Sequence, residues 1–154
     1  MMAALPTMLA TTDLHAAACP SDRAIYRNVD EHKHVLAFTE GSVGTITLQS
    51  GSTKLTYRFV ITSSNAFVRE SIAIGQTTDE ARSDKAIASS VVVALSPTFS
   101  VHKGDAAAPF LVIPDLAAGL YYSRGFREKA DFLDFLPGYA WKLAGCRRID
   151  KGSR

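Results

Sequence analysis

The chain has 154 residues, with 17 Lys and Arg against 15 Asp and Glu and a formal net charge of +2. Hydrophobic residues make up 47% and charged residues 21%, which excludes a disordered chain. No apolar run approaches the roughly 20 residues a membrane-spanning helix needs, and so small a charge excludes a protein that works by neutralising many nucleic-acid phosphates.

Residues 1–18, MMAALPTMLATTDLHAAA, precede Cys19-Pro20. A secretory signal has a basic start, an apolar stretch of about 7–15 residues and a small-residue cleavage site. Ala3 to Ala10 supplies a short apolar stretch interrupted by Pro6 and Thr7, and Ala16-Ala17-Ala18 supplies the A-x-A site. The basic start is missing, because no Lys or Arg occurs before Arg23. Export to the periplasm or beyond is the leading expectation; the rival is an Ala-rich leader on a cytosolic chain. Cleavage after Ala18 leaves 136 residues with a net charge of +3.

Strands are expected next. Ala24 to Val29 forms a short one near Cys19, and Val35 to Thr39 a partner for the two strands that follow it. Ile46 and Leu48 share a face against Val43, Thr45 and Thr47, and Leu55, Tyr57, Phe59 and Ile61 alternate with Lys54, Thr56, Arg58 and Val60. Ser50-Gly51-Ser52 joins these last two as a hairpin. Residues 66–74 read as a further strand with Val68, Ile72 and Ile74 on one face, although Glu70 falls on that face too. Residues 76–90 are polar and alternate in sign, which fits either a helical turn from Asp79 to Ala88 or the most mobile loop.

Val91 to Leu95 is continuously apolar and β-branched, the pattern of a strand buried on both faces. Phe99 to His102 is expected to pair beside it, with a turn from His102 to Asp105. Phe110 to Ile113 is a second apolar strand, bracketed by Pro109 and Pro114, which fits strand ends or a sheet edge. Pro114 to Ala118 starts a helical turn that stops at Gly119. Arg127 to Leu136 reads as one C-terminal helix, with Phe132, Phe135 and Leu136 at i, i+3 and i+4, ended by Pro137-Gly138. Tyr139, Trp141 and Leu143 then mark a last strand, with Trp141 in the core. A basic tail covers 147–154. The expected fold is mainly β: an antiparallel sheet of about seven or eight strands, forming a sandwich or partly open barrel, with that helix packed on it and residues 19–146 making one domain.

Cys19 and Cys146 are the two cysteines and bracket this domain. An even count in a small exported chain points to a disulfide. Two buried thiols are the plain alternative, and a third makes Cys19 an acylated lipoprotein cysteine, although Ala16 stands where such sites usually carry Leu.

Catalytic signatures are sparse. Gly41-Ser42-Val43-Gly44 is not a G-x-S-x-G elbow but a turn entering a strand. His102 lies near Asp105 in a turn, where both residue types serve solvation. His32-Lys33-His34 would put two imidazoles on one strand face beside Asp30 and Glu31, a candidate metal site that lacks a third fixed ligand. Asp131 and Asp134 fit a polar helix face, and Glu40 and Glu70 would need to meet across strands to act as a carboxylate pair. Neither a P-loop nor G-x-G-x-x-G occurs. Tyr121 and Tyr122 are candidates for a binding surface, one ring expected buried and one exposed. No cofactor is expected. The reading that follows is a small exported, non-catalytic binding module whose partner is another protein or an envelope component. Its alternative is an envelope hydrolase or metal-dependent enzyme using His102 with a carboxylate or the His32/His34 pair.

Overall fold

Alternating apolar and polar residues from Ala24 onward build four consecutive antiparallel strands: β1 (Ala24–Asn28), β2 (Val35–Glu40), β3 (Val43–Ser50) and β4 (Thr53–Ser64). The computed structural model describes residues 19–64 and 69–148. The leader, Val68 and the tail beyond Arg148 lie outside the described residues. The inward positions Gly44, Ile46 and Leu48 of β3 are buried, and β4 answers with Tyr57 and Phe59. The hairpin between them turns at Gly51, whose φ of +55° suits a residue without a Cβ.

The sheet continues through β5 (Arg69–Gly75), β6 (Ala88–Leu95), β7 (Phe110–Val112) and β8 (Ala140–Cys146), each antiparallel to the last. β8 then pairs with β1, from Ala24 opposite Cys146 to Asn28 opposite Trp141, and closes the barrel. A bulge between Ile25 and Tyr26 shifts that register. Eight strands match the upper expectation, but the sheet is neither a sandwich nor partly open. Pairing the first strand with the last satisfies both edges at once.

Closure also corrects β6. Val91 to Leu95 is not buried on both faces, because a barrel wall has one inward side. Val92 is buried, whereas its neighbour Val93 is 37% exposed. The expected pairing near Phe99 to His102 is a single bridge between Leu95 and Val101.

Helices are short. Residues 76–90 hold α1 (Thr78–Ala81), capped by the Thr77 hydroxyl, which accepts the Glu80 N–H; β6 already begins at Ala88. Gly119 does not stop a helix but lies within α2 (Leu116–Tyr122), where a Cβ would come 3.0 Å from that of Ala88. The glycine lets α2 lie close on β6, and the Ser90 hydroxyl accepts the Asp115 N–H beneath it.

The single helix expected over Arg127 to Leu136 is replaced by α3 (Arg124–Arg127) and a 3-10 turn, Phe132–Phe135. Asp131 separates them at φ +54°, a left-handed conformation that no continuous helix accommodates. The apolar spacing still marks an inward face, since Phe135 is buried while Phe132 and Leu136 are half-buried. Leu116, Leu120, Phe126 and Phe135 join the barrel core, with the Phe126 ring 6.3 Å from that of Tyr57. This helical segment plugs one end of the barrel. Buried Asn28 ties the plug to the wall: its Oδ1 accepts the N–H groups of Asp30, Glu31 and Gly138, and its Nδ2 donates to the Gly138 carbonyl at 2.7 Å.

The Cys19–Cys146 disulfide lies at the other end, with a Cα–Cα separation of 5.6 Å. Beside it Arg147 donates its N–H to the Arg23 carbonyl and its guanidinium to the Thr39 carbonyl, so the basic tail begins as a docked segment.

Candidate binding site at the open end of the barrel

Strand polarity decides where a cavity can lie. The start of β1, the ends of β2, β4 and β6 and the starts of β3, β5 and β7 all meet at the unplugged end. There inward side chains, the β6 backbone around Val91 and Val93 and the connecting turns line an open cavity of about 800 Å³. Its walls are Tyr26, Phe38, Ile61, Val92, Ala108 and Leu111. The Phe38 ring packs edge-on to Phe59, with centroids 5.1 Å apart. Gly44 makes that pairing possible, because a Cβ there would lie 2.3 Å from the Phe59 ring and from the Ala37 carbonyl oxygen.

Polar side chains in the mouth are few, and two of them are held by backbone. The Tyr26 hydroxyl donates to the Ala108 carbonyl at 3.0 Å. Burial pushes this phenol up to about 12; the bond to Ala108 works against that rise, and the nearby Glu70 charge adds to it. His102 lines the same mouth, and its Nε2–H donates to the Ala106 carbonyl oxygen at 3.0 Å. Glu70 lines it from β5, at the inward register shared with Ile72 and Ile74.

The β6–β7 connection edges the mouth. Ser96 Oγ accepts the N–H groups of Thr98 and Ser100, and the tight turn holds Phe99 at φ +59°. Phe99 is 70% exposed and stacks on Phe110 at 5.4 Å; Val101 is 66% exposed and lines the cavity.

The other candidates are dispersed. His32 and His34 sit in the β1–β2 turn rather than on one strand face, His32 exposed and His34 fully buried. The His34 Nδ1 accepts the Gln49 N–H at 3.0 Å, and burial holds its pKa below the usual histidine value. Asp30, Glu31, His32 and Asp134 edge a polar cleft of about 410 Å³ near the plug. Among the described residues no three His, Cys, Asp or Glu side chains converge to hold a metal ion. Glu40 and Glu70 are not cross-strand neighbours: β3 and β4 lie between their strands. Asp131 and Asp134 are not on one helix face, since the break at Asp131 separates them.

Tyr121 and Tyr122 belong to α2, not to a strand, and both are exposed, at 39% and 77%. Their rings meet edge-on at 5.1 Å, far from the mouth on the plugged end. Trp141 is fully buried in the core, as its alternation with Leu143 predicts, whereas Tyr139 is exposed just before β8.

Sequence reasoning passed over Tyr26 as a site residue and weighed Glu70 only as half of a carboxylate pair with Glu40. One signal for Glu70 was present: it is the charged residue on an otherwise apolar strand face. Compared with protein-family models, curated proteins and solved structures, the chain matches none.

Proposed function

We propose that the protein is a small exported, non-catalytic binding module of the cell envelope, and that it takes an apolar small molecule into the open end of its barrel. The observation that carries this reading is the mouth cavity of about 800 Å³ with predominantly apolar walls. Small-molecule sites are typically concave, about 300–1,000 Å³, and largely apolar with a few placed polar groups. An eight-stranded barrel is just wide enough for side chains to fill or for one small ligand. Here the plugged half is filled by side chains and the mouth half is not. Export is supported by the signal-like residues 1–18 and by the disulfide, a bond that persists in oxidising compartments such as the periplasm or the extracellular space. The exposed Tyr121 and Tyr122 pair is a second surface suited to a protein partner.

The test is a fluorescence titration with N-phenyl-1-naphthylamine, an uncharged apolar probe that brightens out of water. The expected result is saturable binding at one site per chain. Ser42→Trp, on the exposed rim, should weaken it at least tenfold while leaving the thermal midpoint nearly unchanged, and Tyr122→Ser should not alter it. Loss of binding with Tyr122→Ser but not with Ser42→Trp would move the site to the plugged end and overturn the reading.

A further inference from the structure

A barrel that merely collects apolar molecules needs no charge among its inward positions, yet β5 carries Glu70 at one. The residue shares its face with Ile72 and Ile74, both fully buried, and stands between Ser63 of β4 and Val92 of β6 in the two ladders. Its side chain is exposed and lines the cavity. None of the described residues that line the cavity is Lys or Arg, and Glu70 makes no ion pair among the described residues. Two of the donors that line the cavity, the Tyr26 hydroxyl and the His102 Nε2–H, are directed at the carbonyls of Ala108 and Ala106. The Glu70 charge nevertheless reaches Tyr26, since it contributes to raising that phenol.

A carboxylate on the apolar wall of a mouth has a definite consequence for what enters. Low-dielectric walls strengthen its field, so it repels anionic head groups and favours cationic ones. Deep in the cavity the walls are apolar and offer nothing to a second charge. Resting on the reading of the mouth as a binding site, we propose that the ligand is a cationic amphiphile, with its ammonium or guanidinium group paired to Glu70 and its apolar body between Tyr26, Phe38, Val92 and Leu111.

The experiment displaces bound N-phenyl-1-naphthylamine with decyltrimethylammonium and with decanoate, two ten-carbon chains of opposite charge, below their micellar concentrations. The cation should displace the probe at a concentration at least tenfold lower than the anion, and added salt should narrow the gap. Glu70→Gln, an exposed and nearly isosteric change, should bring the two within about twofold of each other. If the probe binds but the two chains compete equally, or if the cation keeps its advantage in Glu70→Gln, the proposal is overturned while the binding site itself stands. Failure of the probe to bind at all overturns both.

Discussion

His34 enters β2 with its ring out of water and its Nδ1 accepting the Gln49 N–H, so its neutral form is part of the fold. Burial lowers its pKa and the neighbouring Glu31 charge offsets this in part. The unfolded chain therefore binds a proton at this position more readily than the native one. Stability from His34 is complete above about pH 6.5, the unfolded value, and is lost as pH falls toward the lower folded value, with a slope of at most about 1.4 kcal/mol per pH unit. His34→Asn keeps an acceptor for the Gln49 N–H but cannot titrate. The stability advantage of the natural protein over this variant, measured by urea unfolding, should shrink between pH 7.5 and pH 5. An advantage that stays constant across that range would refute the account. Nothing in the HKH run distinguishes this buried imidazole from its exposed neighbour His32; only the turn that precedes β2 does.

Strands announced themselves by their two-residue period wherever one side faces the core and the other solvent, as in β3 and β4. That period is a local property, so it was legible. What the period cannot carry is the approach of one element to another. Gly44 reads as an ordinary turn glycine, yet its missing Cβ is what admits the Phe59 ring over the Ala37 carbonyl. Gly119 reads as a helix stop for the same reason, although it is a contact point between α2 and β6. Asp131 breaks a helix whose apolar spacing was sound, because left-handed geometry leaves no mark on spacing. Gly44→Ala should accordingly cost about 3 kcal/mol through overpacking. Gly125→Ala in α3, where a Cβ would meet nothing within 4 Å, should be neutral or stabilise by up to about 1 kcal/mol. Thermal or urea unfolding separates the two, and a Gly44→Ala variant as stable as Gly125→Ala would contradict the packing described.

Across the whole molecule, the cysteine count carried more about architecture than any motif did. Cys19 and Cys146 lie 127 residues apart in the chain and join the lead into β1 to the end of β8, where the barrel closes. The cavity between those ends was not readable, because it depends on strands far apart in sequence converging with their inward residues short of the axis. A loop of this length gives up to roughly 5 kcal/mol in the chain-entropy model. Reduction should lower the urea midpoint, and Cys19→Ser with Cys146→Ser should unfold like the reduced protein. Equal midpoints for the oxidised, reduced and doubly substituted forms would show that the bond adds nothing to the closure already made by the β1–β8 ladder. That ladder has a consequence of its own. β7 pairs with only Val93 to Leu95 of β6, and α2 lies over the part of β6 it leaves, at Ala88 and Ser90. With the first and last strands joined, the described barrel has no edge strand on which an incoming peptide could align along its full length. Recognition by added strand, and chain-to-chain fibre growth, both start from a free edge strand, and the described barrel supplies none.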